Sequence, residues 1–155
     1  MYYNMGTISA DESNSIYSQK VAKNYVRSLQ NYKLPLNIAL PIFSWGVQVR
    51  DNQIVNLIGG MRLKDLEQSH FEKISEKRYK VVEDVVYQGR YLALNDEIKL
   101  EDVSASQLKE MMSDIKNNLS QKPNEIILYD LNENNLKAYE KEDFTKQFPD
   151  VEMEI

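Results

Sequence analysis

Two hydrophobic periods alternate along this chain, and their order predicts its elements. Ile16, Tyr17, Val21, Ala22, Tyr25, Val26 and Leu29 recur at the spacing of one buried helical stripe. Asp11, Glu12, Ser13 and Asn14 offer capping side chains and favourable negative charge ahead of it, so a helix is predicted over residues 15–30. Asn31-Tyr32-Lys33-Leu34-Pro35 stops it, because a residue before proline avoids the α region. The apolar run of residues 36–43, interrupted by Pro41, reads as a strand buried on both faces, the usual state of a parallel strand. Residues 2–5 at the start of the chain read as the end of another buried strand. Strand, helix and strand within about 40 residues match the size of a βαβ unit.

From Ser44 the period changes to two. Val47 and Val49, then Ile54, Asn56 and Ile58, alternate across Asp51-Asn52 and predict a hairpin that ends at Gly59-Gly60. A short helical patch runs through Leu63, Leu66 and Phe71. Strands follow over residues 79–87, 91–94 and 97–100, with a tight turn at Gly89-Arg90. This middle region reads as an antiparallel, partly solvent-facing excursion. Helical spacing returns at Leu108, Met111, Met112, Ile115 and Leu119. Ser104 and Gln107 form a capping box, and Val103 with Leu108 stands at staple spacing, so the second helix covers residues 105–119. After Pro123, residues 125–131 form a third buried strand that closes on Asp130. The tail from Asn132 keeps helical spacing at Leu136 and Tyr139. The expectation is an α/β domain over residues 1–155, its three strands parallel in one sheet with both helices packed on it.

Composition narrows the partners. The chain has 155 residues, 42% hydrophobic and 28% charged, which suits one soluble globular domain. A net charge of −5 and a pI near 5.0 argue against nucleic acid or an anionic membrane surface as the main partner. Without cysteine there is no disulfide framework, thiolate zinc site or cysteine nucleophile. No apolar run reaches the roughly 18 residues of a membrane span. The first residues carry neither the basic nor the apolar region of a signal peptide. The compartment stays open on these grounds.

Met1-Tyr2-Tyr3-Asn4 resembles the sixth-strand motif M-x-Y-D/N of the family 18 glycoside hydrolases. Ala39-Leu40-Pro41-Ile42-Phe43 is similar to the seventh-strand pattern G-x-P-F/Y, with Ala39 where the family has glycine. Residues 126–131 would then be the eighth strand. The resemblance implies partial TIM-barrel-like parallel strands with flanking helices and an inserted antiparallel β-hairpin region, the C-terminal portion of a larger barrel. It extends to bacterial glycosidase-like proteins. The family's acid-bearing DxxDxDxE signature has no counterpart here, and the strand that would carry it would precede Met1. The tryptophan that usually ends the eighth strand is replaced by Tyr129-Asp130-Leu131. The resemblance therefore implies a carbohydrate-binding segment that is not catalytic on its own. It assigns Tyr3 and Asn4 the role of hydrogen-bonding the substrate's acetamido group. An exported or cell-envelope location follows if the chain belongs to a larger protein of this kind.

Several residues carry two readings. Trp45 offers a face for a sugar or a core residue for the hairpin. Asp130 is an acid, base or ligand acceptor at a strand end, or the cap of the next turn. Glu83, Asp84, Asp96 and Glu97 read as solvated acids. His70 has no ligand-spaced partner and reads as a surface or helix-end residue, and Tyr17, Tyr25 and Tyr32 as packing. Gly59-Gly60 lacks the spacing and lysine of a phosphate loop. No cofactor or metal is implied. The candidate binding set is Tyr3, Asn4, Trp45 and Asp130, with an oligosaccharide as ligand. The alternative is a self-standing α+β module that binds protein or ligand. Exposed sheet edges in a partial barrel predict self-association or pairing with an N-terminal barrel half.

Overall fold

A computed structural model describes residues 6–140. In chain order its elements are α1 (Gln19–Val26), continued as a 3-10 turn over Arg27–Asn31, β1 (Ile38–Pro41), β2 (Trp45–Arg50), β3 (Gln53–Gly59) and α2 (Leu63–Leu66). They continue as β4 (Phe71–Ser75), β5 (Arg78–Val81), β6 (Val85–Tyr87), β7 (Arg90–Leu92), β8 (Glu97–Glu101), α3 (Ala105–Asn118), β9 (Ile126–Tyr129) and α4 (Glu133–Leu136). The chain divides into two compact units. One holds Ile16–Phe43 and everything described from Val103 on; the other holds Thr7–Ser15 and Ser44–Asp102. The strand predicted over residues 2–5, with Tyr3 and Asn4, lies outside the described residues.

The first unit is the parallel one. β1 and β9 pair in parallel, Ile38 opposite Ile126 through Pro41 opposite Tyr129, as the two apolar runs predict. The capping box at Ser104 forms as expected: Ser104 Oγ accepts from the Gln107 amide at 3.2 Å, and Gln107 Oε1 accepts from the Ser104 amide at 2.9 Å. Helix α3 buries Leu108, Met111, Met112 and Ile115, while α1 buries Ala22 and Val26. The Tyr17 hydroxyl donates to Glu110 on α3 at 3.2 Å. Helix α1 starts at Gln19, later than its acidic flank suggests, and Ser15 commits its amide and hydroxyl to Glu101.

The second unit overturns the predicted fold class. Its sheet is five-stranded and antiparallel, in the order β3-β2-β8-β5-β4, and β6 and β7 form a further antiparallel pair. The described chain is therefore α+β. Among the described residues the parallel pairing is confined to β1 and β9, with no TIM-barrel-like arrangement. The physical reason lies in the connections. β2 and β3, β4 and β5, and β6 and β7 are each joined by a turn too short for a crossover, and such turns join only antiparallel neighbours. Asp51 and Asn52 both take left-handed backbone, φ 50° and 60°, the paired geometry of a hairpin turn. β9 also departs from two-faced burial, because Ile127 and Tyr129 are about half exposed.

Finer boundaries move too. Phe71 opens β4 instead of extending the helical patch, and residues 79–87 break into β5 and β6. Ile58, Met61, Leu66, Phe71, Tyr79, Val81, Leu92, Ile98 and Leu100 form one core cluster of this unit. Gly46 is required within it, because a Cβ there would collide with Met61 Sδ and press on Ile98 at 3.2 Å. Lys99 Nζ donates to the carbonyls of Ser9 and Glu12, each at 2.6 Å, so Thr7–Ser15 covers part of the sheet. That cover explains why β2 is buried at four successive positions, Gly46 to Val49.

Candidate functional site

The exposed chemistry of the parallel unit gathers where β1 and β9 end. Ligand groups in parallel architectures sit at the carboxyl ends of strands, because side chains there project beyond the hydrogen-bonded ladder. Tyr129 ends β9 and meets Phe43 in a T-shaped contact, with ring centroids 5.8 Å apart at 85°. Phe43 is buried, whereas Tyr129 remains 52% exposed. The buried ring thus fixes a partly open one. Asp130 follows, exposed, with its Oδ2 accepting from Asn132 Nδ2 at 3.3 Å. Its backbone carbonyl accepts from the buried Asn135 at 2.9 Å. The cap of α4 is Asn132, whose Oδ1 accepts from the Asn135 amide at 2.9 Å. The capping role considered for Asp130 therefore belongs to its neighbour.

Trp45 lies in the other unit. Trp45 begins β2, partly buried, and its indole N–H donates to Glu101 Oε2 at 2.8 Å. Glu101 is fully buried. The same oxygen accepts from the Ser15 amide at 3.0 Å and from the Ser15 hydroxyl, and Oε1 lies 2.6 Å from Lys99 Nζ. Lys99 is itself 1% exposed. A buried ion pair of this kind is tolerable only when nearly every lone pair and proton is engaged. Trp45 thus serves a structural cluster through its polar edge.

The residue that the sequence reading misplaced most is Asp96. Expected as a solvated acid, it is 1% exposed. Arg50 grips it with Nε at 2.7 Å and Nη2 at 2.9 Å, and Gln48 Nε2 and the Ala93 amide donate to it at 2.6 and 2.8 Å. Burial pushes the Asp96 carboxyl up, but the donors from Arg50, Ala93 and Gln48 outweigh it and hold the group below the usual carboxylate range. Gln48 is held in turn, its Oε1 accepting from Asn56 at 2.7 Å and its Nε2 donating to the Tyr91 carbonyl at 3.2 Å. The legible signal was Gln48 and Arg50 two apart on a strand, polar groups on a face that otherwise packs. Asp84 is likewise lowered, first by the Leu94 amide at 2.7 Å and then by Tyr91. His70, read as a surface or helix-end residue, is partly exposed, with its Nδ1 2.6 Å from Glu83 Oε1. Glu97 pairs with Arg78.

Chemically, Asp84 and Asp96 are acceptors whose donors favour the ionised form. Among the described residues no three His, Asp or Glu side chains gather as a metal site, and no helix is long and apolar enough to cross a membrane. No protein-family model, curated protein or solved structure matches the chain.

Proposed function

We propose that this chain is a carbohydrate-binding protein, related to the family 18 glycoside hydrolases and not catalytic on its own. The observation that carries the reading is the end of β9. There a half-exposed tyrosine ring, buttressed by Phe43, adjoins the exposed Asp130 carboxylate at the carboxyl end of a parallel strand pair. An aromatic face suits the apolar face of a pyranose, and a carboxylate accepts from its hydroxyls.

The non-catalytic part rests on proton chemistry. Glycoside hydrolysis needs a carboxyl group kept protonated beside the scissile oxygen, which calls for a raised pKa. Asp84 and Asp96 are shifted the opposite way, and Glu101 is sealed among Lys99, Ser15 and Trp45. Calorimetric titration with an N-acetylglucosamine tetramer tests the site. Tyr129→Ala and Asp130→Asn are each expected to weaken binding about tenfold, roughly 1.4 kcal/mol. Unchanged affinity in both variants would remove the strand end as the binding site.

A second reading is favoured by the same strand. Ile127 and Tyr129, two apart on β9, are both exposed, and such an apolar face on an edge strand can pair with a second copy of the chain. Sedimentation equilibrium over a concentration series separates the two. A dimer that Ile127→Lys dissolves supports association, and a monomer throughout leaves the strip to the saccharide.

A further inference from the structure

Glu110, Asp114 and Asn118 fall four apart on α3 and so share one side of that helix. The outer two are tied to the segment around α1. Glu110 accepts from the Tyr17 hydroxyl at 3.2 Å and from the Gln19 side-chain amide, and Asn118 Oδ1 accepts from Gln30 Nε2 at 3.2 Å. Asp114, between them, is not tied. Its backbone carbonyl accepts from Asn118 Nδ2 at 2.8 Å, but its carboxylate has no hydrogen-bond or ion-pair partner among the described residues, and Oδ2 is closed off from solvent. A buried acceptor left unpaired costs stability, so the fold alone gives no reason for a carboxylate here.

At this gap lies a cavity of about 200 Å³, lined by Lys23, Val26 and Arg27 on one side and by Asp114 and Asn118 of α3 on the other. Positions 23, 26 and 27 share one face of α1 and of the turn that continues it. Val26 is buried, whereas Lys23 and Arg27 are exposed and neither side chain has a partner among the described residues. Two cations thus stand across the cavity from one carboxylate, and no direct ion pair joins them.

We propose that this cavity binds a small zwitterion of the α-amino acid class, its carboxylate held by Lys23 and Arg27 and its ammonium by Asp114. Arg27 offers a planar fork to a carboxylate and Lys23 a point charge, while Asp114 accepts from an ammonium. A dipolar ligand completes both sides at once. A simple anion leaves Asp114 unpaired, and a simple cation leaves Lys23 and Arg27 so. The volume is below the roughly 300–1,000 Å³ of sites for drug-sized ligands, which suits a single small molecule and not a saccharide chain. The cavity shares no residue with the strand end at Tyr129.

The test is a nitrogen-15 NMR titration of the full chain with L-alanine and, separately, with acetate and with methylammonium. L-Alanine is expected to shift the amides of Lys23, Arg27, Asp114 and Asn118 along one saturable curve, and each half-ligand to bind about tenfold more weakly or worse. Arg27→Gln should weaken L-alanine about fivefold or more with an unchanged melting temperature. Asp114→Asn should bring L-alanine down to the affinity of acetate without lowering the melting temperature, because the carboxylate makes no bond within the fold. Absence of saturable shifts at millimolar L-alanine, or equal binding of acetate, overturns the proposal. So does an Asp114→Asn variant that melts lower yet keeps its affinity for L-alanine, since the carboxylate would then serve the fold.

Discussion

The two units use the same kinds of side chain for opposite purposes. At the end of β9, Tyr129 and Asp130 are both exposed, and the Asp130 side chain accepts from Asn132 while its backbone carbonyl accepts from Asn135. On β8 and just before it, Glu101 and Asp96 are carboxylates almost without exposure, each surrounded by donors. A polar group that is buried and saturated contributes to the fold, whereas one that is oriented and open is available to a ligand. β8 is buried on both faces, each filled in its own way. Ile98 and Leu100 point into the core cluster, while Lys99 and Glu101 on its other face meet the Thr7–Ser15 segment.

The largest break in this contrast comes from opening the sealed cluster. Glu101→Ala would leave Lys99 as a buried charge without its counter-ion, and such losses cost about 3–5 kcal/mol. Denaturant unfolding should register that drop. The double variant Lys99→Met/Glu101→Leu should recover most of it, because replacing both charges with apolar groups removes the desolvation penalty. A Glu101→Ala loss below about 1 kcal/mol would mean that the cluster is solvated and not sealed.

A smaller effect is expected at Gly46. Gly46→Ala forces Met61 and Ile98 to shift, and overpacking of this kind costs about 1–3 kcal/mol. Thermal melting decides it, and an unchanged melting temperature would show that Met61 gives way freely.

Acid should weaken the antiparallel unit through Asp96 and Asp84, whose carboxyl groups are held below the ordinary range. In the unfolded chain an aspartate titrates near about 3.9, so above that pH both states are ionised and the contribution is complete. It is lost as pH falls below about 4 and through the lower folded values. Melting temperatures measured from pH 7 to pH 2.5 should turn down on the acid side, and Asp96→Asn should flatten that downturn. A decline that begins above pH 5 and is insensitive to Asp96→Asn would assign acid lability elsewhere.

Local signals were legible in the sequence, and tertiary ones were not. The Ser104–Gln107 capping box, the Asp51-Asn52 turn and the parallel pairing of two apolar runs all appear as read, because each depends on neighbouring residues or on a short hydrophobic pattern. The predicted barrel-like fold class failed because apolar runs as short as β1 and β9 fit a two-stranded pair as well as a large parallel sheet. Asp96 was misread for a similar reason. Whether a turn acid is buried depends on what covers it, and Gln48 and Arg50 reach Asp96 from β2, distant in sequence. Trp45 and Asp130 were both visible as candidates, but the exposed ring beside Asp130 was legible only as the replacement for an absent tryptophan.

The open strand end should behave unlike every site above: Tyr129→Ala is expected to change stability by no more than about 0.5 kcal/mol, as for a surface position. The most direct measurement is therefore binding and cleavage in one sample. The chain is incubated with an N-acetylglucosamine tetramer, the bound fraction is read by native mass spectrometry, and the free saccharide is sized in parallel. The account predicts a saturable complex that Tyr129→Ala weakens, with the tetramer recovered intact. No complex at millimolar saccharide, or the appearance of shorter oligomers, would contradict it.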